Sequence, residues 1–229
     1  MNLGVSMKSS LFATSARLAA LAALALLAGC SLPTATPDPT RYYLLSAPAP
    51  VAAPAAGAVA EGTSSKVVTV GLSRVELPAY LRSRSVVLRP GGTELRQAPA
   101  ARWAEPLDQG IARVLKETLQ AQPVVRAVVL YPAPQAATPD CEISVSVLAC
   151  EGLAGAAGQR IRFAATWELR STAARAAVLA SGTFESASAE WPEGDYAALT
   201  AKLGEAVAAL GWEIALAVAN AKLAGSIRN

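Results

Sequence analysis

The sequence predicts an α+β domain in which a mostly antiparallel β-sheet is covered on one face by two helices, as a two-layer α/β sandwich. Three observations support this fold class. Segments in which apolar and polar residues alternate, as in half-buried strands, recur along the chain. Two longer segments repeat apolar residues every three or four positions, as amphipathic helices do. The elements follow the order β-β-β-β-α-β-β-β-β-α, which suggests two related halves.

The first 29 residues are predicted to be a signal peptide that lies outside this fold. Lys8 and Arg17 make the N-terminal part basic, and 18–27 is an apolar run of 10 residues. A membrane-spanning helix needs about 20 residues, so this run is typical of a secretory signal. Small residues at 28 and 29 precede Cys30, and "LAGC" resembles the bacterial lipobox. A plain signal peptide with an incidental cysteine is the alternative.

The resemblance to a lipobox implies that Cys30 is the first residue of the mature chain. Its thiol would carry diacylglycerol through a thioether, and its amine an acyl chain. Stable anchoring takes more than one chain, and this residue would supply it alone. Ser31, where an aspartate resembles an inner-membrane retention signal, favours the periplasmic face of the outer membrane. Residues 30–40 are rich in proline and are predicted to form an extended tether.

A single periplasmic domain is predicted over residues 41–229, and four strands precede its first helix. The Ala/Pro-rich stretch 47–65 is predicted to be a flexible loop. The apolar turn "LPAYL" at 77–81 separates the second strand from the third, and Pro90-Gly91-Gly92 connects the third to the fourth. The strands are predicted at 41–46, 66–77, 85–90 and 93–98.

The first helix is predicted to begin near Trp103 and to end before Pro123. Glu105 and Pro106 suit its first turn, because an acid favours the helix dipole there and proline loses no hydrogen bond. Its apolar face repeats every four residues: Trp103, Leu107, Ile111, Leu115 and Leu119.

Three or four strands and a long helix are predicted in the second half. Asp195 is the expected N-cap of the helix, which spans about 195–223. Cys141 and Cys150 lie nine apart on one strand, about 30 Å end to end, so we expect both to be unpaired and mostly buried. The strands are predicted at 124–132, 141–150, 159–171 and 176–190.

Composition argues against several classes of function. The chain has 20 basic and 17 acidic residues, and the signal peptide removes two of the basic ones, so no footprint for nucleic acid is expected. There are 0 histidines, which removes Ser-His triads and nearly all histidine zinc sites. No glycine-rich phosphate loop is present. We therefore expect no catalytic residues, no cofactor other than the lipid on Cys30, and no metal.

Three segments together resemble the ABC-type transport auxiliary lipoproteins of the PqiC/YmbA-like group. The first is the lipobox with its tether and "RYYLLS". The second runs from "VGLSRVELPAYL" through "RWAEPL". The third is "WPEGDYAALTAKL", which opens the last helix. Members often read leucine-aspartate-arginine after the turn tyrosine, whereas Leu81 is followed here by Arg82 and Ser83, so any contact of that Asp-Arg pair is made differently or not at all.

The resemblance implies a lipid-anchored auxiliary component of an MCE-type lipid transport system, docking the complex to the outer membrane. Its partners would be an MCE-domain protein and, through it, an integral membrane or ABC transporter component. A ring-shaped partner would allow a homo-oligomer. An assembly lipoprotein for outer-membrane proteins or lipopolysaccharide is the alternative, and an envelope hydrolase is disfavoured by the missing histidines.

Five residues are candidates for contact with the partner. Tyr80 and Leu81 lie at the tip of an apolar turn, where exposed residues mark interfaces. Arg82 and Arg84 follow the tip and could meet head groups or an acidic surface, although a solvated hairpin explains them as well. Trp103 could contact a partner, but an aromatic residue at a helix start is more often part of the core.

Overall fold

A computed structural model describes residues 37–46, 68–132, 138–155, 158–173, 177–225 and 227. The predicted signal peptide, Cys30, most of the tether and the loop at 47–65 lie outside these residues, so those predictions stay open. By contacts the chain divides into two units, Met1–Pro39 and Thr40–Asn229. All elements below belong to the second unit.

The described part of the chain holds eight strands and two helices in the predicted order, which confirms the α+β class. A 3-10 turn, Ala79–Leu81, lies between the second and third strands. The helices are α1 (Leu107–Gln120) and α2 (Tyr196–Leu223). The strands are β1 (Arg41–Tyr43), β2 (Val68–Leu72), β3 (Ser85–Gly91), β4 (Glu94–Trp103), β5 (Val125–Leu130), β6 (Cys141–Gly155), β7 (Gly158–Ser171) and β8 (Val178–Glu185).

The strands form a single mixed sheet. Its long pairings are antiparallel and join neighbours in the chain: β3 with β4, β6 with β7, and β7 with β8. Shorter parallel pairings join β1 to β4, β2 to β5, β2 to β6, and β3 to β6. The sequence predicts a mostly antiparallel sheet because hairpins have local turn signals, whereas parallel neighbours are set by long crossovers that leave no local pattern.

Both helices pack on the sheet and against each other, and the core lies between the two layers. On β6 the residues at 141, 143, 145 and 147 are buried, while Ser144 is exposed on the opposite face. Asp195 caps α2 by accepting a hydrogen bond from the Ala198 amide at 3.0 Å, as predicted. By length and composition α2 could cross a membrane, but many of its apolar residues belong to this core.

Two expectations about side chains are decided by the fold. Trp103 ends β4 instead of opening α1, which begins at Leu107 directly after Pro106. Its four-residue spacing to Leu107 matched a helix, but Trp103 pairs with Tyr43 in the β1–β4 ladder. Cys141 and Cys150 are free and buried, as expected.

Candidate functional site

The sheet forks along one edge of β6, and the predicted site residues lie at this fork. β2 pairs with the start of β6 and β3 pairs with its end, at Gly152 and Leu153. The segment between β2 and β3 crosses the gap. It is held there by Glu76, whose amide donates to the Val145 carbonyl at 2.9 Å and whose carbonyl accepts from the Val147 amide at 2.9 Å.

The "LPAYL" turn is rigid because both ends are fixed. Pro78 has φ of −62°, and the Leu81 amide donates to the Pro78 carbonyl at 3.0 Å, which closes the 3-10 turn. The turn directs Leu81 inward, where it is only 2% exposed. The expectation that Leu81 is an exposed tip residue is therefore wrong: it anchors the turn in the core. Tyr80 stays at the surface, half-buried.

A fully buried carboxylate lies beneath the turn. Glu151 on β6 has a side-chain exposure of 0% and is held by Arg89 of β3, with Nε–Oε1 and Nη2–Oε2 distances of 2.6 and 3.2 Å. This two-point geometry satisfies both carboxylate oxygens. Arg162 of β7 places Nη1 at 4.0 Å from the same carboxylate. The ion pair therefore ties three strands together at the fork.

Tyr80 connects the turn to this buried pair. Its hydroxyl donates to the Leu148 carbonyl at 3.2 Å. Burial raises the pKa of Tyr80, and the negative charge of Glu151 raises it further. The hydrogen bond to Glu151 in turn raises the pKa of Arg89, so the pair remains charged throughout the physiological range. The tyrosine acts here as a neutral hydrogen-bond donor that fixes the tip of the turn.

Arg82 and Arg84 point their charges into solvent beside the turn. Arg82 donates from Nε to the Leu77 carbonyl at 3.2 Å, and Arg84 uses its carbonyl to accept from the Trp103 amide at 2.7 Å. Neither guanidinium takes part in an ion pair with the described residues. We call Tyr80, Arg82 and Arg84 the turn surface; it presents two uncompensated positive charges on a fixed backbone.

A cleft of about 860 Å³ opens next to the turn surface. Its volume lies within the range of about 300–1,000 Å³ typical of small-molecule sites. Its rim carries Arg74 and Asp108, whose Nη2 and Oδ2 atoms are 3.2 Å apart, together with Arg82. Its floor is apolar: Val75, Leu77, Leu107 and Val147. The cleft can accept a side chain or small group with an apolar body and a polar end.

The fold brings together three of the five predicted site residues and separates two. Tyr80, Arg82 and Arg84 share one surface, while Leu81 and Trp103 are buried at 2% and 3% exposure. For Trp103 this matches the alternative that it belongs to the core. Glu151 was missed, although an acid inside the apolar stretch of β6 is unusual enough to have been noticed. Alternation along β6 breaks at a bulge between Val147 and Ala149, which hides its inward direction.

The arrangement of the turn is suited to contact rather than to chemistry. The titratable groups nearest the cleft are occupied in ion pairs or hydrogen bonds, and the buried thiol of Cys150 has its pKa raised to about 12 by burial. Among the described ranges, no three His, Cys, Asp or Glu side chains gather as a metal site. What remains available is the positive charge, the half-buried tyrosine and the adjoining cleft.

Comparison with protein families gives one match. The family described as "ABC-type transport auxiliary lipoprotein component" matches residues 43–215 of this chain. The matched range begins in β1 and ends within α2, so it includes the whole sheet, the fork and the turn surface. A search of curated proteins finds no match.

Solved structures support the fold independently. A Xanthomonas campestris protein of the DUF330 family superposes with a TM-score of 0.63 at 15% identity, covering 81% of this chain and 99% of that one. The crystal structure of an uncharacterized protein superposes with a TM-score of 0.57 at 18% identity, covering 77% and 97%. At these identities the similarity concerns the fold alone.

Proposed function

This chain belongs to the ABC-type transport auxiliary lipoprotein family, and on that basis we propose that it is a lipid-anchored, non-enzymatic docking component of an MCE-type lipid transport system. Family membership makes it an auxiliary transport lipoprotein of the cell envelope. The proposal adds that Cys30 carries the lipid, that the protein lies on the periplasmic face of the outer membrane, and that its direct partner is an MCE-domain protein.

The observation that carries the docking role is the turn surface. Two arginines without carboxylate partners stand on a turn whose backbone is fixed by β6 and whose apolar residue is buried in the core. Holding charges in place before binding reduces the entropy lost on association. We propose that this surface meets an acidic patch of the MCE-domain protein, with a neighbouring side chain of the partner entering the cleft.

Co-elution tests this proposal. The mature lipoprotein in detergent is mixed at micromolar concentration with the MCE-domain protein encoded beside it, and the mixture is resolved by size-exclusion chromatography. We expect one complex that weakens as salt rises, because screening reduces the attraction between exposed charges. Absence of a complex at low salt would reject the docking role.

A charge-reversal pair locates the contact. Arg82→Glu combined with Arg84→Glu should weaken the complex at least about tenfold, since each change replaces an attraction with a repulsion. Arg126→Glu is the matched control, because Arg126 is an equally exposed arginine on β5, away from the turn. Equal weakening by the control would show a diffuse charge effect instead of docking at the turn surface.

A further inference from the structure

The sheet has several edges, and all but one carry features that prevent another strand from pairing with them. Natural proteins protect edges with short strands, charged residues and proline. β1 has 3 residues and includes an arginine. The part of β4 that no described strand covers, 94–100, contains Glu94, Arg96 and Pro99. β5 carries Arg126 and is followed closely by Pro132.

The outer edge of β8 lacks such protection. β8 has 8 residues, and from Val178 to Phe184 it contains neither a charged residue nor a proline. It pairs with β7 on one side, and no described strand pairs with its other side. Val178 is 50% exposed. An uncharged edge of this length is a template for strand addition, so its persistence in the fold calls for an occupant.

The hydrogen-bond pattern identifies which main-chain groups of β8 face outward. The Ser186 amide donates to the Phe163 carbonyl at 2.8 Å, so this pair is hydrogen-bonded across the β7–β8 ladder. In an antiparallel ladder hydrogen-bonded and non-bonded pairs alternate. With the register of Thr166 opposite Thr183, the inward groups belong to residues 180, 182 and 184. The outward groups belong to residues 181, 183 and 185.

The β6 ladder gives the same assignment independently. The carbonyls of Ile143 and Val145 and the amide of Val147 bond toward the segment after β2, on the side of β6 away from β7. Their partners on β7, at 169, 167 and 165, must therefore direct their main-chain groups toward β8. Those residues face 180, 182 and 184. The free donors and acceptors of Ser181, Thr183 and Glu185 thus form a row at the outer edge.

The chemistry of this row favours an extended, neutral peptide segment. Lipid tails cannot satisfy amide and carbonyl groups, whereas an added strand satisfies the whole row. Nearby charges are already balanced, since Glu185 lies 3.7 Å from Arg162 and Glu190 lies 3.7 Å from Arg160. The outward positions carry small hydroxyl side chains at 181 and 183. Charge complementarity therefore selects uncharged residues opposite Ser181 and Thr183.

We propose that β8 docks an extended, uncharged segment of the MCE-domain partner as an added strand of the sheet. This inference rests on the proposed function and gives the partner a second contact, separate from the turn surface. Main-chain hydrogen bonds would fix the direction of the partner relative to the sheet, while the arginines of the turn surface supply long-range attraction.

Proline at an outward position tests the proposal. Thr183→Pro removes one outward amide and keeps the bonds of β7 to residues 182 and 184. Gly182 precedes the site, which limits the steric conflict of a residue before proline. The matched control is Thr183→Ala, which keeps the amide. In the co-elution assay with the MCE-domain protein, Thr183→Pro should weaken the complex by about tenfold or more, and Thr183→Ala should leave it unchanged.

Amide hydrogen exchange of the wild-type chain provides a second measurement that needs no variant. The amides of Ser181, Thr183 and Glu185 should exchange quickly in the free protein and slowly with the MCE-domain protein bound. The amides of Gly182 and Phe184 should be slow in both states. Unchanged exchange at the three outward amides, or a complex that Thr183→Pro leaves intact, would overturn the β8 inference while the docking role stands.

Two further outcomes are decisive. If the wild-type chain forms no complex with the MCE-domain protein, the proposed function itself fails. If the protein alone self-associates, and Thr183→Pro abolishes only that association, the occupant is a second copy of this chain and the assignment to the partner is overturned.

Discussion

Among single residues, Glu151 has the largest effect on stability that the structure allows us to predict. Glu151→Ala removes a carboxylate that is 0% exposed and leaves Arg89, whose side chain is 23% exposed, with no counter-charge at the fork. Breaking a buried ion pair from one side costs about 3–5 kcal/mol. Because Arg89 can reach some solvent, we expect a loss of about 3 kcal/mol in the free energy of unfolding, measured by urea denaturation.

An exposed pair on the same sheet is the control for this prediction. Arg96 and Glu94 lie 2.6 Å apart, but their side chains are 66% and 55% exposed. Glu94→Ala should therefore change stability by less than about 1 kcal/mol, as is usual for surface ion pairs. Similar losses in the two variants would mean that burial of Glu151 does not matter.

The buried thiols predict how stability depends on pH. Burial raises the pKa of Cys150 to about 12, whereas an unfolded cysteine ionises near pH about 8.5. Above that pH the unfolded chain loses a proton that the folded chain keeps. The stabilising contribution is thus complete below about pH 8.5 and is lost as pH rises toward about 12, with a slope of up to about 1.4 kcal/mol per pH unit.

The contribution of this thiol can be isolated by comparing slopes. Urea unfolding of the wild type and of Cys150→Ala is followed from about pH 8 to about pH 11. The variant starts from its own baseline, and its stability should fall less steeply, because it has no thiol to ionise on unfolding. Parallel curves for the two proteins would contradict the raised pKa.

At the scale of elements, α2 depends on close approach at two glycines. A Cβ at Gly204 would overlap the main-chain carbonyl oxygen of Ser46, just after β1. A Cβ at Gly211 would lie 2.9 Å from Cγ2 of Thr118, a side-chain atom that can move. Gly204→Ala should lower stability by about 1–3 kcal/mol, because the main chain after β1 must shift. Differential scanning calorimetry measures the effect.

Gly211→Ala is the matched comparison on the same helix. Alanine improves helix propensity by about 1 kcal/mol, which offsets the adjustment of Thr118. We expect a net change of less than about 1 kcal/mol in this variant. If Gly204→Ala proved equally mild, the chain after β1 would have to be loosely held against α2.

Elements with a strong local pattern could be predicted from the sequence, and elements set by distant partners could not. The period of α2, its Asp195 cap and the alternation of β6 and β7 are properties of neighbouring residues, and all were found. Trp103 has the spacing of a helix, yet its backbone pairs with β1, about 60 residues earlier in the chain. The inward turn of Leu81 likewise depends on the gap in β6, which no local pattern reveals.

At the scale of the whole molecule, the fork and the β8 edge lie on different borders of one sheet. The turn surface is bounded by β2, β3 and the middle of β6, and the open strand lies beyond β7. A partner that used both would be held in one orientation, because two separated contacts remove the rotation that one contact allows. The two sites should therefore act cooperatively on the same partner.

A combined variant measures this cooperativity. Arg82→Glu and Thr183→Pro are made separately and together, and the dissociation constant for the MCE-domain protein is measured by calorimetry. When one contact is lost, the other no longer benefits from a high effective concentration. The double variant should bind no worse than the product of the two single effects if the sites are independent, and less weakly than that product if either loss already releases the partner.

The lipid anchor determines where this docking takes place. If Cys30 is acylated, the folded unit that begins at Thr40 is held to the membrane by about 10 residues of proline-rich tether, or about 30 Å at the extension of polyproline. Cys30→Ser should move the full chain from the membrane fraction to the soluble fraction. Cys141→Ser is the control, because that thiol is buried in the folded unit and should have no effect on fractionation. Mass spectrometry of the purified wild type should show acyl mass on the first mature residue. A wild-type chain that starts elsewhere, or a Cys30→Ser variant that stays with the membrane, would mean that the protein reaches its partner by contacts of the folded unit alone.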